Sequence, residues 1–418
     1  MRNELIVGLD IGSTNIRLVA GQNKGDELQI IGAVESPSSG INKGVINSIE
    51  DATSSISKCL EKAERLIGLP IVSAWVGISG PYIKCEKSRG VVAISRSDGE
   101  IGEDDVDRTI EAARALSVPP NYDILHVIPI KYSVDSQTDI KDPIGMIGVR
   151  LEAETIIIQG LTSQIKNFTK AVHRTELNID DIVLSPLVAA EAVLSSKQKE
   201  LGALLINIGS STTSLAVFEE GELLHTAVLP IGSEHITADI AIGLRSPINL
   251  AERIKIEFGN ADSRNIDKKE SDIDISNLAA EEGLGDDKET ISRKYVSEII
   301  EARVEEIMEK VDEELKKVDR SGMLPAGVFL IGGGAKLPGI VEIAKKKLRL
   351  PATIGTNRSL AVTIDKVNDP IFLTALGLVI WGSQLTSSRR RPWVKLSRGK
   401  FLGNAGGMIG SWFKKLKP

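Results

Sequence analysis

A short turn near the start of the chain has the residue types of a phosphate-binding site. Asp10 is followed by Gly12, Ser13, Thr14 and Asn15, between two β-rich runs. Glycine lets backbone N–H groups approach phosphate oxygens closely, and the hydroxyls add further hydrogen-bond donors. Asp10, at the end of the first run, can hold the water shell of a Mg²⁺ ion. The turn therefore predicts a phosphate site with a magnesium ion beside it.

The same turn occurs a second time. Residues 5–20 are echoed by residues 203–218, and a polar turn and a third β-rich run follow each copy. Either turn alone is more typical of a tight β-hairpin, but the duplication favours two phosphate turns that face each other. Asn207 stands where the first copy has Asp10, so we assign both side chains to the metal's water shell. The second turn contributes Gly209, Ser210, Ser211 and Thr212.

Two further motifs are candidates for binding the rest of a nucleotide. A glycine cluster follows an apolar run and precedes a helical pattern, so its backbone can lie flat against a base or sugar-phosphate; an ordinary strand-to-helix turn is the alternative. This cluster comprises Gly332, Gly333, Gly334 and Lys336. Glu252 and Lys255 lie three residues apart on one helical face, which by itself indicates only a solvated ion pair.

Two related lobes are needed to bring these motifs together. Each half has three β-rich runs and then a helical pattern, at residues 48–66 and 247–258. The sequence therefore predicts two α/β lobes with a ligand cleft between them. A long charged helix is predicted at residues 294–318.

An inserted subdomain interrupts the first lobe at residues 81–162. It has a predicted helix at 103–116 and β-rich runs at 126–134 and 149–159, which indicates an α+β unit. Residues 260–290 are acidic and poor in large apolar side chains, so we expect a flexible or helix-flanking surface segment there.

Composition excludes several classes of protein. The 418 residues are 42% hydrophobic and 26% charged, which excludes a disordered chain and a multi-span membrane protein. A net charge of −6 excludes a chain-wide basic surface, so no nucleic-acid partner is expected. Two cysteines without a CxxC spacing fit a reducing cytoplasm. Neither an export signal nor an apolar run long enough to span a bilayer is evident.

The C-terminal end differs in charge from the rest of the chain. From residue 389 onward there are nine lysines and arginines and no acidic residue. Residues 386–400 indicate a flexible basic linker. In residues 401–418 the large apolar side chains recur at helical spacing, which predicts an amphipathic helix too short and too polar to cross a bilayer. The residues assigned to an anionic membrane are Phe401, Leu402, Met408, Ile409, Trp412, Phe413, Lys414, Lys415 and Leu416. The alternatives are a tail docked on its own domain or in a partner's groove, and a solvated basic end.

Taken together, these motifs resemble the actin-like ATP-binding superfamily. The resemblance implies a two-lobed actin-like (ribonuclease H-like) fold, with ATP and Mg²⁺ held by the two turns and the nucleoside by the glycine cluster and by Glu252 and Lys255. Two predicted helices, at residues 185–194 and 369–378, match the connecting helices that pack together at the hinge of that superfamily.

Within the superfamily the chain resembles the FtsA family of bacterial cell-division proteins. The stretches that carry this resemblance are residues 126–129, 143–152 and 232–244, together with the terminal tail. The resemblance divides the chain into a first-lobe core (1–80, returning at 163–200), the inserted subdomain (81–162), a second-lobe core (201–232 and 326–385), a small subdomain beside the nucleotide (233–325), the linker (386–400) and the terminal helix (401–418).

The resemblance also implies partners. Members of this family polymerise and anchor filaments of the tubulin-like FtsZ to the cytoplasmic face of the membrane at the division site. The C-terminal peptide of FtsZ would bind the small subdomain, where Arg245 and Arg293 could meet an acidic segment, and other divisome proteins would bind the insertion. The alternatives are an actin-like scaffold of type IV pilus assembly and a small-molecule kinase of the same superfamily.

Two departures from the superfamily pattern bear on hydrolysis. Asn207 replaces an aspartate that is usual in the second turn, and Ser185 stands where many members carry an acidic or amide residue that orients the attacking water. Asparagine lacks the charge that helps to hold Mg²⁺, and serine orients water poorly. We therefore expect ATP to bind and its hydrolysis to be slow or absent; rapid steady-state phosphate release in the presence of lipid would contradict this.

Overall fold

The structure, a computed structural model, describes residues 5–24, 27–115, 119–266, 272–282, 290–360 and 364–386. The predicted terminal helix and all but the first residue of the predicted linker lie outside these residues. Among the described residues, no helix is long and apolar enough to cross a membrane.

The first half of the chain alternates strands and helices. The strands are β1 (Leu5–Ile11), β2 (Asn15–Lys24), β3 (Glu27–Pro37), β4 (Ile41–Asn42), β5 (Val45–Ile46), β6 (Ser73–Ile78), β7 (Ile83–Ala93), β8 (Tyr122–Val134), β9 (Gln137–Ile140), β10 (Arg150–Leu161) and β11 (Asn178–Leu184). The helices are α1 (Ile49–Ile67), α2 (Glu103–Ala115), α3 (Thr162–His173), α4 (Ser185–Val193) and α5 (Ser196–Leu201). Helix α1 follows the prediction closely because the Ser48 hydroxyl caps its first turn and Gly68, with φ of 70°, ends it.

The second half repeats the strand pattern and adds longer helices. Its strands are β12 (Ala203–Ile208), β13 (Thr213–Glu219), β14 (Glu222–Leu229), β15 (Asp272–Asp274), β16 (Thr290–Ser292), β17 (Gly327–Ile331) and β18 (Ala352–Ile354). Its helices are α6 (Ser233–Leu244), α7 (Ile248–Phe258), α8 (Ser276–Glu281), α9 (Arg293–Lys316), α10 (Ile340–Leu348) and α11 (Leu373–Thr386). Short 3₁₀ turns occur at Ser263–Asn265, Gly334–Lys336 and Asp365–Asn368.

The two central sheets have the same topology. The first-lobe order is β3-β2-β1-β6-β11 and the second-lobe order is β14-β13-β12-β17-β18. In each sheet three antiparallel strands are followed by two parallel ones. This duplication confirms the predicted two-lobed α/β fold, and it places the two predicted phosphate turns at equivalent edges.

Strand β12 is almost entirely apolar because both of its faces are covered. Leu204 and Ile206 pack in the core that contains α6, α7, α9 and α10. Ala203 and Leu205 point to the opposite face, into the core shared with the first lobe. Side chains alternate between the two faces of a strand, so a central strand with two cores needs a continuous apolar run.

The connecting helices α4 and α11 pack closely at the junction of the lobes. A Cβ built on Gly377 would lie 2.0 Å from the carbonyl oxygen of Val188, so only glycine fits at this crossing. The prediction of a helix from residue 369 was wrong at its start, because α11 begins at Leu373. The Asp369 side chain instead accepts a hydrogen bond from the N–H of Ile371 at 3.1 Å, which forms a turn before the helix.

The inserted subdomain is a four-stranded sheet, β7-β10-β8-β9, covered by α2. The sequence predicted α2, β8 and β10 but missed β7 and β9. Strand β7 carries charged side chains on its exposed positions, so its sequence does not show the alternation of apolar and polar residues that marks a strand. His126 ties the insertion to the first lobe, because its buried Nε2 accepts a hydrogen bond from the N–H of Leu184 at 3.0 Å. Burial lowers the pKa of His126 to about 4, so the ring is neutral at neutral pH.

The acidic segment at 260–290 is more ordered than predicted in its described part. Strands β15 and β16 pair, and Ile273, Ile275 and Leu278 are buried against the second-lobe core. These few apolar residues are spaced among acidic ones, so composition alone underestimated how much of the segment is ordered.

Candidate functional site

The two predicted phosphate turns face each other across the cleft. The Gly12 N–H donates to the carbonyl of Asn15 at 3.1 Å, and the Gly209 N–H donates to that of Thr212 at 2.9 Å, so the two turns have the same internal hydrogen bond. A further hydrogen bond joins the lobes, because the Ser211 hydroxyl donates to that of Ser13 at 2.7 Å.

A cavity of about 510 Å³ lies between the lobes, within the size range of small-molecule sites. Every residue that the sequence assigned to the nucleotide or the metal lines it. They are Asp10, Gly12, Ser13, Thr14, Asn15, Asn207, Gly209, Ser210, Ser211, Thr212, Glu252, Lys255, Gly332, Gly333, Gly334 and Lys336. The structure therefore brings together motifs that are more than 300 residues apart in the chain.

Asp10 has an unusual electrostatic environment. Burial raises its pKa from 3.8 to about 6, although Arg17, opposite Asp10 in the β1–β2 ladder, lowers it in part. A Cβ built on Gly77 would lie 3.0 Å from Ser185 Oγ and 3.5 Å from Asp10 Oδ1, so the serine and the carboxylate flank this glycine. Sequence reasoning missed Arg17, whose Nε is buried with no hydrogen-bond partner in the described structure.

The carboxylate of Asp10 suits a cation held through water. No cluster of three or more acidic, histidine or cysteine side chains that could hold a metal occurs among the described residues. A Mg²⁺ ion here would rely on Asp10, water and phosphate oxygens, which is its usual mode in nucleotide sites. Such an ion would also compensate the cost of ionising a buried carboxylate.

We expect the Mg²⁺-dependent part of ATP affinity to fall as pH drops through about 6, because protonated Asp10 cannot hold the ion's water shell. Because the pKa of Asp10 is raised in the folded protein, protonation of Asp10 favours the folded state. The stability contributed by the protonated carboxyl is complete below pH 3.8 and is lost as pH rises through about 6. Asp10→Asn should therefore raise the melting temperature of the nucleotide-free protein at pH 7.5 and abolish the pH step in ATP titrations. A Mg²⁺ effect that is independent of pH in the unaltered chain would contradict this assignment.

Asn207 connects three elements at the second turn. Its Nδ2 donates to the hydroxyl of Thr374, near the start of α11, at 3.3 Å. Gly332 adopts φ of 86°, and a Cβ there would lie 2.3 Å from Asn207 Oδ1. The glycine cluster is therefore held against the second turn, and glycine is required at its first position.

Glu252 and Lys255 do not form the solvated pair that spacing alone indicates. Lys255 is only 8% exposed. Its Nζ lies 2.5 Å from Glu252 Oε2 and 2.9 Å from the Thr237 hydroxyl, and it reaches the carbonyl of Ser233 at 3.4 Å. The pair therefore fixes α7 to the start of α6 at the cavity wall.

Part of the cavity wall is apolar, and sequence reasoning missed it. Ile256 is 69% exposed and lines the cavity, as do Leu337, Pro338 and Ile371. A Cβ on Gly333 meets nothing within 4 Å, so this glycine borders open space. An apolar wall beside an exposed glycine backbone suits a planar base. Only tertiary structure brings these side chains together, and no sequence pattern marks them.

Comparison with known proteins shows the family. The family model described as "Cell division protein FtsA" matches residues 204–377, and "SHS2 domain inserted in FTSA" matches residues 80–159. The protein named "Cell division protein FtsA" of Borreliella burgdorferi is 38% identical over 416 residues, which cover 99% of both chains. The chain belongs to the FtsA family. The Bacillus subtilis member is 40% identical, and the match covers 90% of this chain and 83% of the relative. The Escherichia coli K12 member is 30% identical, and the match covers 99% of this chain and 96% of the relative.

Solved structures that are more distant from this FtsA-family chain share its actin-like fold. The "PilM-PilN type IV pilus biogenesis complex" matches with a TM-score of 0.65 and 15% identity, covering 90% of this chain and 98% of that one. MreB5 of Spiroplasma citri bound to ADP matches with a TM-score of 0.55 and 13% identity over 92% and 99%. At these identities the likeness shows the fold alone, and the FtsA relatives favour a cell-division protein over a pilus scaffold or a kinase.

Proposed function

We propose that this FtsA-family chain is an ATP-binding scaffold that polymerises and tethers FtsZ filaments to the cytoplasmic face of the cell membrane at the division site. The observation that carries the proposal is the cavity between two duplicated phosphate turns, with the glycine cluster and the Glu252–Lys255 pair on its wall. Family membership supports the role in division.

ATP is the ligand that best fits this cavity. The N–H groups and hydroxyls of the two turns would bind the phosphates, and Asp10 would hold the water shell of Mg²⁺. The apolar wall with Ile256 and the glycine cluster would bind the base.

Asp10 and Glu252 are the carboxylates among the described lining residues, and Glu252 is engaged by Lys255. Slow hydrolysis follows from the hydroxyl of Ser185 beside Asp10, since a serine orients water poorly.

The C-terminal peptide of FtsZ would bind at one end of α6. Ile242, Ile248 and Tyr295 are exposed there, and Gly243 on α6 lies against Tyr295. Arg245, the exposed residue that ends α6, adds positive charge. An apolar surface with a basic rim suits an acidic peptide that carries apolar side chains.

Arg293 is less available than Arg245 for this peptide. It is half-buried, and its Nε donates to the carbonyl of Phe258 at 3.3 Å. We therefore assign the electrostatic part of the contact to Arg245, although the sequence named both arginines as candidates.

Replacing Ile242 by glutamate should weaken binding of a synthetic FtsZ C-terminal peptide by about tenfold or more. The substitution removes an apolar side chain that the peptide would bury and adds a negative charge that repels the acidic peptide. Titration of a labelled peptide measures this. The matched control is Ile147→Glu on the insertion, because Ile147 is 76% exposed and Ile242 is 77% exposed. Equal peptide affinity for the two variants would reject this surface.

The insertion supplies a second exposed apolar surface. Ile144, Ile147 and Val149 are exposed on the loop between β9 and β10. Exposed apolar clusters of this kind mark interaction surfaces. We assign this loop to contacts with a second copy in the polymer or with other divisome proteins.

The C-terminal tail would provide the membrane contact. Its apolar face would enter the lipid interface and its lysines would attract anionic headgroups, by roughly 1 kcal/mol each. A single short helix binds reversibly, so firm attachment would require several tails presented side by side by a polymer.

A further inference from the structure

A small hairpin closes the phosphate end of the cleft. Strands β4 and β5 are joined by Lys43 and Gly44, which have φ of 51° and 70°. The Lys43 N–H crosses to the second lobe and donates to Ser211 Oγ at 3.1 Å. A Cβ on Gly44 would lie 1.8 Å from the carbonyl oxygen of Ser79, so the hairpin tip fits tightly against the end of β6. The hairpin belongs to the first lobe, yet it contacts the second phosphate turn directly.

The contact with Lys43 restricts the direction of the Ser211 hydroxyl. Ser211 is 1% exposed, accepts the Lys43 hydrogen bond and donates its own hydrogen to Ser13. A hydroxyl has one hydrogen to donate, and the Lys43 N–H occupies an acceptor position. The hydrogen therefore points into the space between the two turns, where a phosphate oxygen could take the place of Ser13. Lys43 acts through its backbone as a positioning residue for Ser211.

Tyr82 holds the other side of the hairpin at the base of the insertion. Its hydroxyl donates to the carbonyl of Gly44 at 3.2 Å. Its ring lies between Gly80 and Gly160, because Cβ atoms built there would be 2.2 Å and 3.6 Å from ring carbons. Gly80 precedes the first strand of the insertion and Gly160 lies near the end of the last, so Tyr82 contacts both crossings of the chain between lobe and insertion. Burial raises the pKa of Tyr82 above its ordinary value, which keeps the hydroxyl a donor.

We propose that the β4–β5 hairpin couples the phosphate end of the cleft to the inserted subdomain, through the hydrogen bonds that join Ser211 to Lys43 and Gly44 to Tyr82. This inference rests on the proposed ATP site and adds its regulation. Phosphate binding that reorients the Ser211 hydroxyl changes its hydrogen bond with Lys43 in the hairpin. The hairpin in turn contacts Tyr82, where the chain passes between the first lobe and the insertion. Coupling is reciprocal, so a partner that moves the insertion changes ATP affinity.

A double-mutant cycle on the full chain tests the coupling. ATP dissociation constants are measured for the unaltered chain, Tyr82→Phe, Ser211→Ala and the double variant. We expect Tyr82→Phe to weaken ATP binding by about three- to tenfold, the effect of one hydrogen bond, and to have no further effect once Ser211 is alanine. Tyr132→Phe is the matched control, since Tyr132 is equally buried in the core of the insertion and should leave ATP affinity unchanged.

The outcomes separate the coupling from the proposed function. Tight ATP binding with additive effects of the two substitutions overturns the coupling alone. So does a Tyr82→Phe variant that binds ATP as well as the unaltered chain. If the unaltered chain does not bind ATP, the proposed function fails and the coupling fails with it. Melting temperatures measured without nucleotide show whether any variant has lost its fold.

Discussion

Replacing Gly333 by leucine is expected to abolish ATP binding while the fold stays intact. Gly333 has φ of −64° and ψ of −38°, a conformation that any residue adopts without strain. A Cβ there meets nothing within 4 Å, and the residue lines the cavity, so a leucine side chain would occupy space that the nucleotide needs. We expect affinity to fall by about 100-fold or more, which corresponds to roughly 2.7 kcal/mol. Titration with a fluorescent ATP analogue measures the change.

Two neighbouring substitutions separate occlusion from unfolding. Gly333→Ala adds only a methyl group in open space and should leave affinity within a few-fold. Gly332→Ala should lower the melting temperature, because φ is 86° and the new Cβ would lie 2.3 Å from Asn207 Oδ1. If Gly333→Leu binds ATP as tightly as the unaltered chain, the nucleotide does not lie against this glycine cluster.

The second large effect is expected in the tail. Substituting both Trp412 and Phe413 by glutamate should abolish binding to anionic vesicles, since two aromatic side chains would no longer enter the lipid interface. Burial of each such side chain contributes about 1.5–3 kcal/mol, so the loss should exceed about 100-fold. Co-sedimentation with vesicles that contain anionic phospholipid measures it.

A control with the same charge makes this prediction specific. Substituting Asn404 and Ser411 by glutamate adds the same two negative charges, but to the polar face of the predicted helix. This variant should lose only the electrostatic part, roughly 1 kcal/mol for each added charge, and should still pellet at low salt. Equal loss in the two variants would mean that charge alone attaches the tail and that no amphipathic helix forms.

The position and equivalence of the two turns could be predicted from sequence because local pattern and duplication agree there. The residues that form each turn are contiguous, and two copies with the same spacing predict two equivalent sheet edges. The structure confirms the equivalence through the matching hydrogen bonds of Gly12 and Gly209. Glycine clusters and helix patterns are likewise local, so the first three strands of each lobe and helices α1, α7 and α9 were predictable.

The remaining features depend on contacts between segments that are distant in sequence. Lys255 looks like a surface residue by spacing, and its burial arises from the packing of α6 on α7. Arg17 faces the cavity only because its strand pairs with β1, and the hairpin at Lys43 reaches Ser211 across the cleft. Such contacts have no local periodicity, and a single sequence does not mark them.

In the proposed function, ATP binding, polymerisation and membrane attachment belong to one molecule. The most direct test compares the full chain with a chain that ends at Ser388. Each is sedimented with anionic vesicles, with and without ATP, and the assemblies are imaged by electron microscopy. We predict that only the full chain pellets with lipid and that it forms ATP-dependent filaments on the vesicles. Equal sedimentation of both chains, with no filaments in ATP, would contradict the proposed function and would favour a search for a small-molecule substrate.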